Sequence, residues 1–289
     1  MPLSFRVTQP TELLPFLFAS QPETKRTKVR QALKFGSVLV NGKTTTQFNV
    51  SLKVGDVIVI RLGKASREIG RLPKGMKIFF EDEHLIIIEK PENMLSIASE
   101  AEQNKTAYAY LTDYVRKGKE YSKERIWIVH RLDRETSGLM VFAKTLQAKG
   151  MLQTNWDKVE KRYLAIVEGV MPKGKGTLHS YLNETNPYRV FSAPKSQETR
   201  EAITHYKVLK RGQNRTLVEL TLQTGRRHQI RVQLADEGFP IIGDEKYRAK
   251  TDPAHRLGLH SHFLSFSHPI TGEKLSYESD LSQELKRLI

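Results

Sequence analysis

From residue 77 onward, short apolar runs typical of strands are interspersed with segments typical of helices, and their order is irregular. The strand-like runs cover residues 77–80, 84–89, 125–129, 139–143, 163–167, 202–209 and 216–222. Helical patterns cover residues 106–115, 145–156 and 226–235, the last of them after Thr224-Gly225 at the end of a strand. Regular βαβ units would predict a parallel sheet, whereas this order predicts an α+β fold with a mainly antiparallel mixed sheet and flanking helices.

The charge balance points to a polyanionic partner. Of 289 residues, 47 are Lys or Arg and 32 are Asp or Glu, so the net charge is +15. Such a charge on a folded chain favours nucleic acid as the partner. The absence of cysteine excludes disulfides, a thiol nucleophile and Cys-ligated metal sites. The longest apolar run near the start, residues 13–18, is too short to span a bilayer, so we do not expect a membrane protein.

A chain of 289 residues exceeds what one compact core usually holds, which favours a small module beside a larger domain. Residues 1–62 contain nine basic and three acidic residues and form the candidate module. Residues 63–77 mix Gly, Pro and basic residues, which predicts a linker. The larger domain then covers residues 78–289.

The module has the pattern of one helix beside a small sheet. A helix is predicted from Thr24 to about Phe35, and Gly36 would end it. Residues 37–40 form a strand-like run before a tight turn at Asn41-Gly42, and a further turn is predicted at Gly55-Asp56.

Three basic residues of the predicted helix share its outer face. Arg26, Arg30 and Lys34 follow one another at a spacing of four residues. A solvated helix face is the ordinary explanation of such a row. Because like charges at this spacing repel one another, a polyanionic partner is the alternative.

Two polar clusters carry the candidate chemistry of the larger domain. The first, residues 130–138, surrounds Asp133 with cationic groups in a loop between two apolar strands. Nearby guanidinium groups would keep that carboxylate ionised, although many such clusters are surface turns with ion pairs. The second, residues 224–235, suits a helix with His228 and Arg231 on one face. An amphipathic basic helix is the alternative for the second cluster.

These clusters resemble the motifs of a known family, the RluA-type pseudouridine synthases. Four segments carry the resemblance in order along residues 78–275: His130-Arg131-Leu132-Asp133-Arg134-Glu135-Thr136-Ser137-Gly138-Leu139, Lys161–Gly169, Thr224–Arg231, and Gly238–Asp244 with a closing segment around Leu259–Ser261 and His268-Pro269. Residues 10–60 resemble an S4-type RNA-binding domain, which recurs as a partner of this catalytic domain.

The resemblance implies an isomerase that converts uridine to pseudouridine in structured RNA. It implies a catalytic domain with a central basic cleft, and it requires neither a cofactor nor a metal. Large-subunit ribosomal RNA is the favoured partner and tRNA the alternative. We expect a cytoplasmic monomer.

The resemblance also assigns roles to single residues. Asp133 matches the essential aspartate, which could attack C1′ or C6 of the nucleotide or remove the 2′ proton. Arg231 matches the basic partner that would hold Asp133 through a charge-assisted hydrogen bond. Tyr163 matches the residue that stacks on the uracil, and Arg131 matches the residue that fills the space left by a flipped base.

Further residues are expected to contact RNA. In the larger domain these are Arg134, Arg226, His228 and Gln229, and in the module they are Arg26, Arg30 and Lys34. Arg227 is a weaker candidate for phosphate contact, and solvent exposure is the role favoured for it and for Arg134.

One segment departs from the family pattern. The motif Lys-Pro-x-Gly is here Lys90-Pro91-Glu92-Asn93. Because Asn tolerates left-handed backbone, we expect the turn to survive. The following residues lack the His and Pro often found there, which affects substrate contacts more than catalysis.

Two other functions compete with the isomerase. A non-catalytic RNA-binding or ribosome-assembly protein could use the same scaffold, but it would not need Asp133, Tyr163 and Arg231 together. An N-glycosidase or another carboxylate hydrolase could use Asp133 and Glu135 as an acid/base pair. Two residues apart on an extended segment, these carboxylates would point to opposite sides, which disfavours the hydrolase.

Overall fold

The computed structural model describes residues 3–34, 37–60, 72–100, 102–117 and 122–289. Backbone contacts divide the chain into two compact units, Met1–Ile69 and Gly70–Ile289. The predicted helix end at Gly36 lies outside the described residues, as do most of the predicted linker and the side chain of Lys34. Within the described part of the chain, no helix is long and apolar enough to cross a membrane.

The first unit packs two helices against a small antiparallel sheet. Its helices are α1 (Leu13–Ser20) and α2 (Arg26–Lys34). Its strands are β1 (Leu3–Arg6), β2 (Thr11–Glu12), β3 (Val38–Val40), β4 (Lys43–Thr45), β5 (Ser51–Leu52) and β6 (Val57–Ile60). The sheet order is β1-β6-β3-β4, and β2 pairs with β5. The two helices contribute Leu13, Leu17, Val29 and Leu33 to the core of this unit.

The predicted turns of the first unit are confirmed. Asn41 and Gly42 both have positive φ, 49° and 80°, as a two-residue hairpin turn between β3 and β4 requires. The Asn41 side chain donates to Asp56 Oδ1 at 2.8 Å and accepts the Val57 backbone N–H at 2.9 Å. The hairpin turn is therefore tied to the second turn. The apolar run at residues 13–18 lies in helix α1, which was not predicted. The helix tolerates Pro15 because this residue lies in the first turn.

The second unit is built on one large sheet flanked by helices. Its strands are β7 (Lys77–Glu81), β8 (Leu85–Lys90), β9 (Trp127–Ile128), β10 (Ser137–Ala143), β11 (Glu160–Glu168), β12 (Lys175–Asn183), β13 (Phe191–Ser192), β14 (Thr199–Arg211), β15 (Arg215–Leu222), β16 (Leu259–Ser267) and β17 (Lys274–Glu278). Its helices are α3 (Ala107–Val115), α4 (Leu146–Thr154), α5 (Gln229–Asp236) and α6 (Gln283–Lys286). Short 3-10 turns cover Trp156–Lys158 and Glu245–Tyr247.

The strand order is β13-β12-β14-β15-β11-β16-β10-β8-β7, with β17 paired to β16 and β9 to β10. Strands β10 and β16 pair in parallel, and the other pairs resolved among the described residues are antiparallel. The predicted α+β fold with a mainly antiparallel mixed sheet is therefore confirmed. Strands β12, β13, β16 and β17 were not predicted, because polar and histidine residues interrupt their apolar pattern.

Helices cover both faces of the sheet around β8 and β10. Leu85 and Ile87 of β8 pack in one cluster with Ala148 of α4, whereas Ile86 and Ile88 pack in another with Leu111 of α3. Burial on both faces explains why this strand is a continuous apolar run rather than an alternating one. Of the predicted linker, residues 72–77 are described, and Met76 packs in the α3 cluster.

The parallel pairing brings β10 and β16 unusually close at Gly138. This residue pairs with Ser261 and has φ +114°. A Cβ atom at Gly138 would overlap the backbone of Ser261. Only glycine satisfies both the backbone angle and the contact.

We predict that Gly138→Ala destabilises the protein by about 3 kcal/mol or more, because steric overlap adds to backbone strain. The matched control is Gly150→Ala. Gly150 lies in α4, where a Cβ atom would meet no neighbour. The Gly150→Ala substitution should leave the stability of the protein unchanged or raise it by up to about 1 kcal/mol. Chemical denaturation followed by circular dichroism measures both, and equal stabilities of the two variants would contradict the packing argument.

Candidate active site

The loop that carries Asp133 is braced on both sides of that residue. We call residues 130–136 the aspartate loop. Ser96 accepts the backbone N–H of Leu132 at 3.0 Å and donates to the Leu132 carbonyl at 2.7 Å. On the other side, Lys90 Nζ donates to the Arg134 carbonyl at 3.2 Å. Both braces come from β8 and the turn that follows it, so the sheet sets the backbone position of Asp133.

Lys90 is itself completely buried, with 0% of its surface exposed. Its ammonium also donates to the carbonyls of Pro91 at 2.9 Å and Met94 at 2.8 Å. Burial lowers the pKa of Lys90 to about 7, against the attraction of nearby carboxylates, first of all Asp133. Asn93 closes this turn with φ 57°, so the predicted left-handed backbone is confirmed.

Helix α5 supplies a buried guanidinium beside the aspartate loop. Arg231 donates from Nε and Nη2 to the two carboxylate oxygens of Asp244, at 2.7 and 2.8 Å. The side chains of Arg231 and Asp244 are 4% and 0% exposed. Burial opposes the charge of Arg231, but Asp244 outweighs it and raises the pKa of the guanidinium. Arg231 therefore stays charged inside the protein.

The remaining nitrogen of Arg231 faces two carboxylates. Nη1 lies 3.3 Å from Glu135 Oε2 and 3.7 Å from Asp133 Oδ2. The predicted hydrogen bond from Arg231 to Asp133 is thus absent at this distance, and the charge alone acts on Asp133. The expectation that Asp133 and Glu135 point to opposite sides is wrong, because side chains two residues apart on an extended segment lie on the same face. Both carboxylates face Arg231, and the Thr136 N–H donates to the Asp133 carbonyl at 3.2 Å within the loop.

The two carboxylates have pKa values shifted in opposite directions. Burial raises the pKa of Asp133 above its ordinary value, although Arg231, Arg131 and Lys90 act against it. Burial also acts on Glu135, but a backbone N–H and Arg231 outweigh it and lower that pKa. The cations predicted around Asp133 are present, yet desolvation decides the direction of its shift.

Tyr163 lies on β11 where the strand is irregular. The pairing of β11 with β16 shifts register between Arg162 and Tyr163, which is typical of a β-bulge beside a functional site. Burial raises the pKa of Tyr163 to about 12, a hydrogen bond with Ser261 lowers it, and the charge of Asp133 adds to the rise. The phenol is therefore neutral at ordinary pH, and its partly buried ring lines the same cavity as Asp133.

His228 connects Asp133 to a residue from a distant turn. Its Nε2 lies 3.8 Å from Asp133 Oδ2, and its Nδ1 lies 2.8 Å from the Tyr247 hydroxyl. Burial and the neighbouring cations, Arg231 first among them, lower the pKa of His228 to about 3. The contact with Asp133 is therefore not an ion pair. His228 has φ 53° and immediately precedes α5.

These groups surround an open cavity of about 290 Å³. Its volume lies near the lower end of the range for small-molecule sites, which is about 300–1,000 Å³. The lining consists of Arg131, Leu132, Asp133, Thr136, Tyr163, Glu184, Leu222, Leu259 and residues 225–231. No cluster of three or more potential metal ligands occurs among the residues that the structure describes.

The fold brings most of the predicted site residues of the larger domain to this cavity. The predicted residues in its lining are Arg131, Asp133, Tyr163, Arg226, His228, Gln229 and Arg231. Arg131 is exposed there. Arg134 is exposed but does not line the cavity. In the first unit, the guanidinium groups of Arg26 and Arg30 each lie 5.4 Å from the ring centre of Phe18.

Gln229 does not fit the predicted contact with RNA. Its Oε1 accepts from the Thr224 hydroxyl and the Arg226 backbone N–H, at 2.9 and 3.0 Å. Its Nε2 donates to the Ile203 carbonyl and the Thr204 hydroxyl, at 3.1 and 2.9 Å. All four hydrogen-bonding positions of the amide are used within the protein. Gln229 is 3% exposed and fastens the start of α5 to β14.

The solvent exposure favoured for Arg227 is also wrong. Its guanidinium donates to the backbone carbonyls of Pro187 at 2.8 Å and Glu184 at 3.3 Å, and to that of Asn186. The backbone N–H of Arg227 donates to Glu184 Oε1 at 2.6 Å. Arg227 therefore holds the loop that follows β12.

Several residues of the site were missed by sequence reasoning. Asp244 is the last residue of one motif segment. An acidic residue directly after Gly243 could have indicated a partner for Arg231. Ser96 and Tyr247 gave no local signal, since their importance depends on contacts with Leu132 and His228.

A solved structure has the same fold. The human RNA pseudouridylate synthase domain containing 4 has a TM-score of 0.61 and is 24% identical, covering 73% of this chain and 92% of that chain. The family model described as RNA pseudouridylate synthase matches residues 84–236, which include the aspartate loop, β11 and α5.

Relatives match nearly the whole chain. The RNA pseudouridine synthase YlyB of Bacillus subtilis is 33% identical over 282 residues, which are 95% of this chain and 91% of the relative. The ribosomal large subunit pseudouridine synthase D of Xanthomonas campestris is 30% identical over 289 residues, covering 93% of this chain and 85% of the relative. The chain therefore belongs to the RNA pseudouridylate synthase family and is an RNA pseudouridine synthase.

We predict that Asp244→Asn destabilises the protein by about 3–5 kcal/mol, because it leaves the buried Arg231 guanidinium without its counter-charge. Asp280→Asn is the matched control. The Asp280 side chain is 78% exposed and pairs with Lys286 at 2.8 Å, so its loss should cost about 0–1 kcal/mol. Urea denaturation of both variants measures the difference. Similar costs for the two substitutions would show that Asp244 does not stabilise a buried charge.

Proposed function

We propose that this enzyme isomerises a uridine of large-subunit ribosomal RNA and that Asp133 is its catalytic carboxylate. The observation that carries this assignment is the position of Asp133 in the cavity wall, with the Arg231 guanidinium 3.7 Å away and Tyr163 in the same lining. The ribosomal target is supported by the relatives named ribosomal large subunit pseudouridine synthase D.

The reaction breaks the bond between uracil N1 and ribose C1′, turns the uracil and joins C5 to C1′. C5 loses a proton and N1 gains one, so the atoms balance without a redox step. Asp133 attacks C1′, attacks C6 or removes the 2′ proton. Each route requires an ionised carboxylate next to the sugar and shielded from water. Arg231 favours the ionised form, because its charge opposes the effect of burial.

Tyr163 supports the turning of the uracil. A neutral aromatic ring binds a base through its face, and stacking tolerates rotation better than directional hydrogen bonds do. The raised pKa of Tyr163 keeps the ring uncharged, so it does not repel the nearby carboxylate.

The target uridine must leave the RNA stack to enter this cavity. Arg131 is exposed in the cavity lining next to Asp133, where its planar guanidinium fits the space that the flipped base vacates. Arg226 contacts the Glu201 carbonyl through Nε at 3.0 Å and contributes positive charge to the same wall. We assign Arg131 to base flipping and Arg226 to phosphate contact, as parts of a basic cleft.

The first unit acts as an S4-type RNA-binding domain in this proposal. Its α2 helix presents Arg26 and Arg30, which are both exposed and whose guanidinium groups each lie 5.4 Å from the centre of the Phe18 ring. Exposed arginines of this kind bind RNA phosphates, and such contacts position the RNA without selecting its sequence.

We predict that Asp133→Asn abolishes turnover while RNA affinity stays within about twofold of the wild type. Release of tritium from a transcript labelled at uridine C5 measures turnover. In the wild type, kcat/KM should fall as the pH falls through the raised pKa of Asp133, because protonation removes the reactive carboxylate. Turnover by Asp133→Asn at the wild-type rate would contradict the assignment.

Two controls separate this proposal from its alternatives. Glu135→Gln should keep activity, whereas a carboxylate hydrolase that uses Glu135 would lose it. The wild-type enzyme should release no free uracil, whereas a hydrolase would release it. Pseudouridine mapping of ribosomal RNA and tRNA in cells that lack the gene identifies the substrate. A site restored by the wild type but not by Asp133→Asn supports the proposal, and a lost site in tRNA alone would overturn the ribosomal target.

We predict that Arg26→Ala combined with Arg30→Ala weakens RNA binding and reduces its salt dependence. The slope of log affinity against log salt should fall by about 1 for each lost phosphate contact. Lys274→Ala combined with Arg287→Ala, two exposed cations of the second unit, is the matched control and should leave the slope unchanged. Filter binding at several salt concentrations measures it. An unchanged slope in the Arg26 and Arg30 variant would contradict the RNA-binding role.

A further inference from the structure

The loop between β12 and β13 contributes Glu184 to the cavity lining. We call residues 184–190 the tyrosine loop. This loop has no role in the proposed mechanism. Nevertheless, the guanidinium and the backbone N–H of Arg227 donate hydrogen bonds to it rather than to solvent. An arginine that donates to several carbonyls of one loop fixes the backbone in one conformation, because its planar donors require a set geometry.

The loop is also fixed from within and from its far end. The Asn186 side chain accepts the backbone N–H groups of Tyr188 at 2.8 Å and Arg189 at 3.1 Å. The Val190 N–H donates to the Tyr247 hydroxyl at 3.2 Å, and the Arg189 guanidinium lies 5.8 Å from the Tyr247 ring centre. The Tyr247 hydroxyl is also the partner of His228, so the loop is fastened to the residue before α5.

Between these attachments, Tyr188 projects into solvent. It is 81% exposed, the highest exposure of any large hydrophobic side chain among the residues that the structure describes. The carbonyl of the preceding residue, Pro187, accepts a hydrogen bond from Arg227, which lines the cavity. A loop held at three points thus presents an unburied aromatic ring beside the cavity that contains Asp133. Exposed aromatic rings next to a nucleic-acid site serve as stacking platforms, because every base has a π face.

We propose that Tyr188 stacks on a base adjacent to the target uridine and that Arg227 is a positioning residue for this contact. Removal of the target base from the stack exposes one face of each of its two neighbours. Arg131 covers one of these faces, and the Tyr188 ring covers the other. Arg227 acts through the loop, because both of its terminal guanidinium nitrogens donate to backbone carbonyls of the loop. The inference rests on the proposed function, since it requires an RNA with a flipped uridine at the cavity.

The test begins with Tyr188→Ala and Tyr188→Phe. On a large-subunit ribosomal RNA transcript, Tyr188→Ala should raise KM about tenfold and leave kcat nearly unchanged, because one stacked base is lost. Tyr188→Phe keeps the ring and should behave as the wild type. Leu146→Ala is the matched control, since Leu146 is 64% exposed on α4 and outside the cavity lining. An unchanged KM in Tyr188→Ala, or an equal rise in Tyr188→Phe, would overturn the stacking role.

A double-mutant cycle tests the role of Arg227. Arg227→Ala should also raise KM, since it frees the loop, and Arg227→Lys should not restore the wild-type value, because an ammonium lacks the planar donors. If Arg227 acts through Tyr188, the double variant should be no worse than the more affected single variant. Additive effects would show that Arg227 acts independently of Tyr188 and would overturn its positioning role.

Filter binding of the same transcript separates this inference from the proposed function. A wild-type enzyme that does not isomerise the transcript would count against the ribosomal target. The affinity of Tyr188→Ala would still test the stacking, because binding does not depend on turnover. An affinity about tenfold below that of the wild type and of Leu146→Ala supports the inference, and equal affinities overturn it.

Discussion

The buried ion pair between Arg231 and Asp244 is the interaction on which the site depends. A guanidinium removed from water requires a full counter-charge, and the two-point contact with Asp244 provides it at 2.7 and 2.8 Å. This contact fixes the direction in which the third nitrogen points. Because that nitrogen faces Asp133 and Glu135, the geometry around the aspartate loop follows from a contact that involves neither of them.

The pair also explains how the site holds a carboxylate away from water. Burial acts to protonate Asp133, while the fixed charge of Arg231 acts to ionise it. The braces from Ser96 and Lys90 keep the backbone on either side in place, so Asp133 cannot relax toward solvent. Glu135, only two residues away, is more exposed and has its pKa lowered, so the environment distinguishes the two acids rather than their position in the chain.

Much of the fold could be predicted from the sequence, and the errors have a common cause. The apolar runs of β8 and β10 were recognised because they are buried on both faces. Strand β16 was missed because its polar residues are buried and bonded to a neighbouring strand, as Ser265 is to Ser276 of β17. Strand β12 was missed because polar residues, several of them exposed, interrupt its apolar pattern. The site shows the same division: Asp133, Tyr163 and Arg231 were expected together, whereas Gln229 was assigned to RNA although its amide is saturated by β14 and neighbouring residues.

By itself, the sequence determined the features that depend on local backbone and side-chain chemistry. The left-handed turn at Asn93, the hairpin at Asn41-Gly42 and the strand-like runs are set by residues close together in the chain. The tertiary structure decided which polar groups face the cavity and which are used internally. Arg227 and Gln229 donate to backbone carbonyls from distant segments of the chain. Arg131, in contrast, is exposed in the cavity lining. The residue type determines how many hydrogen bonds a side chain can form, whereas the fold determines which groups it bonds to.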